Sequence, residues 1–134
     1  MSPATATPTD ITAIAATYFA AWERRDPDAI VALHSDDTTF WIHSGGRPVE
    51  GREAVRAAFA DLFERFPELG FEEYRTFYGA DHWVLDWALT ATVNGRPVRF
   101  DCVDVVAVDA DGKVTRKDTF VDAAQMQAAL GAAS

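Results

Sequence analysis

The chain reads as an α+β domain, with helices gathered toward the N-terminus and packed on a curved antiparallel sheet. Two observations predict this. Apolar residues recur at helical spacing in segments as far as Phe66, and from Phe71 onward the spacing changes to strand alternation. The second half is also punctuated by turn signals: Gly79-Ala80-Asp81, Asn94-Gly95 and Asp109-Ala110-Asp111-Gly112. Asn-Gly between alternating runs is a strong two-residue hairpin signal, and successive hairpins imply an antiparallel meander.

Taken in order, residues 1–8 are small, proline-rich and polar, and are expected to form a frayed tail ahead of a single domain over residues 9–134. Thr9 or Asp10 caps a first helix, in which Ile11, Ile14, Ala15, Tyr18, Phe19 and Trp22 form one buried stripe. Glu23, Arg24 and Arg25 end it. Asp26 followed by Pro27 places an N-cap before a proline at the first helical position, opening a short second helix through Ile30, Val31 and Leu33. Thr38 to His43 is rich in β-branched and aromatic residues and reads as a strand, and residues 44–48 as a loop. Gly51 leads into a third helix with Val55, Ala58, Phe59, Leu62, Phe63 and Phe66 on one face, stopped by Pro67 and Gly70. Strands are expected over 71–78, 82–93, 97–108 and 113–121, with a last short helix after Asp122.

Length and composition narrow the function classes. A chain of 134 residues suits one self-supporting core, and an apolar share of 49% argues against disorder. The net charge of −9 argues against nucleic acid and anionic membrane as partners, since both need clustered Lys and Arg. Cys102 is the only cysteine, so no intrachain disulfide or thiolate cluster forms, and its strand context marks a buried, inert thiol. The N-terminal ten residues lack the basic and apolar regions of a signal peptide. No run of about 18 apolar residues suggests a membrane span, so a cytoplasmic protein is expected. No metal or cofactor is expected. The three histidines are scattered, Gly45-Gly46 lacks a phosphate-loop or dinucleotide pattern, and no serine stands in a nucleophile elbow.

Alternation also sorts the strand residues by face. Trp83, Leu85, Trp87, Leu89, Ala91 and Val93 share an apolar face, as do Val98, Phe100, Cys102, Asp104, Val106 and Val108. Asp104 is the one acid among them. Desolvation in such a setting raises a carboxyl pKa, so Asp104 is expected to be a neutral hydrogen-bond donor. Its plainer role is structural, accepting backbone N–H bonds or meeting an arginine at a strand bend.

Three strings carry a family resemblance. "YFAAWERRDPDAIVALHSDDTTF" and "GGRPVEGREAVRAAF" resemble the helix–helix–strand–helix start of SnoaL-like proteins and ketosteroid isomerases, and "FDCVDVVAVDADGKVTRKDTFVD" resembles their last two strands. The chain thus resembles the NTF2-like superfamily, a cone-shaped curved sheet packed against N-terminal helices, over about residues 10–122. In ketosteroid isomerases a helix tyrosine and a protonated strand aspartate form an oxyanion hole, and a second aspartate is the base. The resemblance places Tyr18 and Asp104 at the hole and Ile42 at the base position, where isoleucine takes no proton. It offers Asp118, in "RKDTFVD", as a replacement, where polyketide cyclases and epoxide hydrolases carry a strand-end aspartate. His43 is the other candidate, although alternation turns it away from Ile42 unless the strand has ended. Tyr18 also reads as a core tyrosine, and Asp118 as a surface charge paired with Arg116 or Lys117. Asp86 has no arginine beside it in its strand, which leaves an epoxide-hydrolase triad incomplete. His34 and His82 read as structural or exposed.

The function implied is an isomerase, polyketide cyclase or dehydratase acting on an apolar carbonyl compound, with Tyr18, Asp104, Asp118 and His43 catalytic. Trp22, Phe40, Ile42, Phe59, Trp87 and Phe100 are the expected substrate-binding residues. The alternative is a non-catalytic pocket protein, which Ile42 favours. Relatives pair through the outer sheet face, so the expected partners are a small apolar molecule and a second copy in a homodimer.

Overall fold

A computed structural model describes residues 10–133; the expectation of a frayed tail over residues 1–8, and Thr9 as an alternative cap, lie outside the described residues. The elements are α1 (Ile11–Glu23), α2 (Pro27–Val31), β1 (His34–His43), β2 (Val49–Glu50), α3 (Arg52–Arg65), β3 (Gly70–Tyr78), β4 (His82–Val93), β5 (Arg96–Val108), β6 (Val114–Val121) and α4 (Ala123–Ala133). The α+β class, with helices on a curved six-stranded sheet, is that expected.

Local chemistry sets the helix starts. Asp10 caps α1, its carboxylate accepting from the backbone N–H groups of Thr12 and Ala13. Asp26 does the same for α2 through Asp28 and Ala29, with Pro27 in the first turn, where a missing N–H costs nothing. Asp122 accepts from the Gln125 N–H at the start of α4.

The sheet order is β2-β1-β6-β5-β4-β3. Strands β3 to β6 form the antiparallel meander, and β4 and β5 pair without interruption from His82–Ala107 to Val93–Arg96. Asn94 and Gly95 both have positive φ, as a type I′ turn requires. One pairing departs from the antiparallel expectation, since β1 joins β6 in parallel. The strand also begins earlier than Thr38, at His34.

Two one-residue bulges interrupt the meander, and the second bears on the site. Tyr74 is extra in β3, between the pairs Glu73–Trp87 and Arg75–Asp86. Thr115 is extra in β6, because Val108 pairs with Val114 while Ala107 pairs with Arg116. A bulge reverses which side chains face inward beyond it. In β6 it turns Lys117, Thr119 and Val121 inward and Arg116, Asp118 and Phe120 outward. The inner face of the sheet, α1 and α3 bury the aromatic core, in which Trp22, Phe40, Phe59, Phe66 and Phe100 are almost solvent-free. Helix α4 packs against β5, pinned by Gln125 to both the backbone N–H and the carboxylate of Asp101.

Candidate functional site

The inner sheet face, α1, α3 and α4 enclose a cavity of about 570 Å³. Tyr18 and Trp22 line it from α1, Leu62 and Phe66 from α3, and Met126 from α4. Phe40, Ile42, Trp87, Phe100, Cys102, Asp104, Lys117 and Thr119 line it from the sheet. Ser44, Gly46, Arg47, Asp61 and Arg65 bring polar atoms to it from the β1–β2 loop and α3. The Trp41 indole holds that loop by donating to the Gly46 carbonyl at 3.0 Å.

One polar cluster sits inside this apolar wall. Lys117 Nζ donates to Asp104 Oδ2 at 2.7 Å, and Thr119 Oγ1 donates to Asp104 Oδ1 at 2.9 Å. Thr119 is the cross-strand partner of Asp104, and Lys117 lies one inward position earlier in β6, within diagonal reach. Asp104 and Lys117 are only 4% and 5% exposed. The ammonium lies 5.1 Å from the Trp22 ring centroid and 5.6 Å from that of Tyr18, a cation–π arrangement on two faces. This corrects the expectation that Asp104 donates. It lies in the cavity as expected, but as the acceptor of two bonds, one from an ammonium group.

Tyr18 also lines the cavity, and its hydroxyl meets His34 Nε2 at 2.8 Å, while His34 Nδ1 meets Thr38 Oγ1 at 2.8 Å. Burial pushes the tyrosine pKa well above its usual range. His34 is pushed down to about 3, chiefly by burial and then by the nearby Lys117 and Arg52 charges, so the imidazole is neutral. Cys102 is pushed up to about 12 by burial and by the charge of Asp104, and is the inert thiol expected.

Three expected site residues need correction. His43 and Asp118 do not line the cavity; they face outward and bond to each other, Nε2 to Oδ1, at 2.8 Å. For His43 the reason is that β1 continues through it, so alternation holds and Ile42 takes the inward position. For Asp118 the reason is the Thr115 bulge. Partial burial opposes its ionisation, yet bonds from Arg116 and His43 hold its carboxyl below the usual range. The His43 ring is packed between Trp41 and Phe120, at centroid distances of 3.9 and 4.1 Å. Phe59 is core rather than lining, fully buried behind Trp22, Phe40 and His34. Trp22, Phe40, Ile42, Trp87 and Phe100 do reach the cavity.

Asp86 does have an arginine partner, Arg75 at 2.9 Å across the β3–β4 pairing. Neither lines the cavity, so the hydrolase arrangement is still not assembled there. Among the described residues no group of three or more His, Cys, Asp or Glu side chains is placed to hold a metal ion, and no helix is long and apolar enough to cross a membrane. Sequence reasoning missed Lys117, Thr119 and His34.

A curved sheet closing on helices around a cavity with a buried acid is the NTF2-like architecture. Residues 15–117 match the SnoaL-like domain family, and the chain belongs to that family. Among solved structures it is similar to SalBIII, an epoxide hydrolase/cyclase-like enzyme with a role in pyran ring formation in the polyether salinomycin. The two are 25% identical, with 85% of this chain and 92% of that one covered and a TM-score of 0.76. It is also similar to a protein described as a SnoaL-like polyketide cyclase from Jannaschia sp., at 22% identity, 94% and 97% coverage and a TM-score of 0.79. A protein with a ketosteroid isomerase-like fold from Catenulispora acidiphila, solved with trimethylamine, is 18% identical, with 93% and 95% coverage and a TM-score of 0.78. No curated protein matches the chain in sequence.

Proposed function

We propose that this protein is a small-molecule enzyme that binds an apolar, carbonyl-bearing compound and moves a proton at the carbon next to the carbonyl, the chemistry shared by isomerases, cyclases and dehydratases. The observation that carries this reading is the Lys117–Asp104 pair, the acid–base unit buried in the wall of an apolar cavity. A carboxylate and an ammonium 2.7 Å apart match the separation between an α-hydrogen and the carbonyl of one substrate. Asp104 takes the proton, and the positive charge of Lys117 meets the negative charge that develops. Tyr18, with its hydroxyl fixed by neutral His34, presents its ring to the bound compound. The 25% identity to an epoxide hydrolase/cyclase-like enzyme supports catalysis on a small organic molecule.

The second reading, a non-catalytic binder, is favoured by Ile42, which leaves the family's usual base position without a titratable group. Deuterium exchange separates the two. Aromatic ketones incubated with the protein in D₂O should exchange α-hydrogen faster than in buffer, and Asp104→Asn should abolish the excess. Ketone binding without any excess exchange would leave the binder.

The outer sheet face supports a homodimer. Phe77 and Phe120 are 54% and 44% exposed there, beside the half-buried Val84, Val103 and Val105. Residues 9–134 act as one domain in this reading.

A further inference from the structure

Basic residues are used unevenly in this chain. It has ten arginines and only two lysines, Lys113 and Lys117. Lys113 is exposed and donates to the Ala32 carbonyl. Lys117 is the one primary amine among the described residues that lines the cavity, and it does so beside a carboxylate and against two aromatic rings. Arginine serves as a permanent charge, whereas a desolvated lysine can lose its proton and act as a nucleophile. Among the described residues, every other basic side chain placed against a carboxylate at ion-pair distance is an arginine or a histidine.

We propose that Lys117 forms an imine with the carbonyl group of the bound compound, which restricts the substrate class to aldehydes and unhindered ketones on an apolar, ring-containing body. The proposal rests on the reading that the cavity accepts a carbonyl compound. Asp104 Oδ2, 2.7 Å from Nζ, receives one ammonium proton and leaves a neutral amine. The nitrogen lone pair forms a C–N bond to the carbonyl carbon, the C=O π electrons move to oxygen, and proton transfers give a carbinolamine. Asp104 returns its proton to that oxygen, water leaves as the C–O bond breaks, and an iminium C=N remains. The net change is ammonium plus carbonyl giving iminium plus water, with Asp104 again a carboxylate. The apolar wall of Trp22, Tyr18 and Phe100 favours the loss of water and shields the product from hydrolysis. Asp104 then stands beside the iminium, ready to take the α-proton, with the iminium nitrogen as the electron sink in place of the free ammonium. An ester or amide would not form this adduct, so the step also separates substrate classes.

The test uses the whole chain, 2-naphthaldehyde and sodium cyanoborohydride, which reduces an iminium to a stable secondary amine. Intact mass and peptide mapping then locate the naphthylmethyl group, and tryptophan fluorescence reports binding without reductant. Labelling at Lys117 should exceed that at Lys113 by at least about tenfold, as expected where a bound carbonyl is held against its nucleophile. Lys117→Arg should abolish it, and Lys113→Arg should leave it intact. Should Lys117→Arg fail to fold, the site ratio in the unaltered protein still decides. Quenching of tryptophan fluorescence without a Lys117 adduct would overturn the imine and leave the carbonyl-binding reading standing. Labelling confined to Lys113 and the α-amine would overturn it equally. Absence of both quenching and adduct, with 2-naphthaldehyde and with 2-acetonaphthone, would overturn the imine and the carbonyl-binding reading together.

Discussion

Replacing Lys117 with methionine removes one half of a buried ion pair while keeping much of the side-chain volume. At an Nζ–Oδ2 separation of 2.7 Å and an effective dielectric near 20, the direct attraction is about 6 kcal/mol. Desolvating the two charges costs several kcal/mol each, so the intact pair comes close to break-even against an apolar replacement. A single removal is different, because the surviving charge stays buried. Lys117→Met leaves Asp104 with only Thr119 as a donor and should lower stability by about 3–5 kcal/mol. Asp104→Leu leaves the ammonium against the Trp22 and Tyr18 rings, which retain about 2 kcal/mol of attraction. Its loss should therefore fall at or below the low end of the same range. The double variant should return to within about 1 kcal/mol of the parent, because it leaves no orphaned charge. Urea unfolding followed by tryptophan fluorescence gives all four corners of the cycle. A coupling below about 1 kcal/mol would mean the two groups are independently hydrated, and the dry acid–base pair would be refuted.

Three further predictions concern the buried histidine and the outer face. His34 is held near 3 by burial, Lys117 and Arg52, whereas the unfolded chain takes up this proton near 6.5. Stability is therefore full above about pH 6.5 and is lost as the pH falls through the window down to about 3, with about 2 kcal/mol gone by pH 5. Between pH 7 and pH 5 the His34→Gln variant should lose less unfolding free energy than the parent by about that amount; equal losses would show that His34 does not stay neutral in the fold. On the outer face, Asp118→Asn should leave ketone exchange unchanged, since Asp118 does not reach the cavity. Phe120→Glu should shift the protein toward monomer in sedimentation velocity with exchange likewise unchanged, and an exchange loss in Asp118→Asn would return that residue to the site.

Most of the fold was legible because its signals are local. Asn94-Gly95 set the β4–β5 hairpin through positive φ at both residues, and alternation then placed Asp104 among Phe100, Cys102 and Val106 on the inner face. The Asp26-Pro27 start of α2 was equally local. The parallel joining of β1 to β6 was not legible, because nothing in either segment marks a pairing between strands that far apart in the chain. Nor was the beginning of β1 at His34, where a β-region start follows α2 with only two residues between them.

The site was half legible for a physical reason that one residue illustrates. Counting from Val114, which is buried and paired to Val108, strict alternation turns Arg116, Asp118 and Phe120 inward and Lys117 outward. That assignment would bury two charges and leave the lysine in water. The Thr115 bulge reverses it, burying a lysine diagonally across from the aspartate that needs a partner and releasing Arg116 and Asp118 to the surface, where they bond to each other. A bulge has no strong single-residue signature, so Asp104 could be placed from its own strand while its partner could not. The requirement itself was visible in advance. A carboxylate in an apolar wall needs a donor, and Arg116 and Lys117 were the basic residues on the strand that neighbours Asp104. Of the two, the lysine's compact ammonium fits beside one carboxylate oxygen and under two rings, whereas the arginine fork spans both oxygens of exposed-face Asp118. Choosing the donor by that demand, before counting alternation, would have placed Lys117 in the cavity and moved Asp118 out of it.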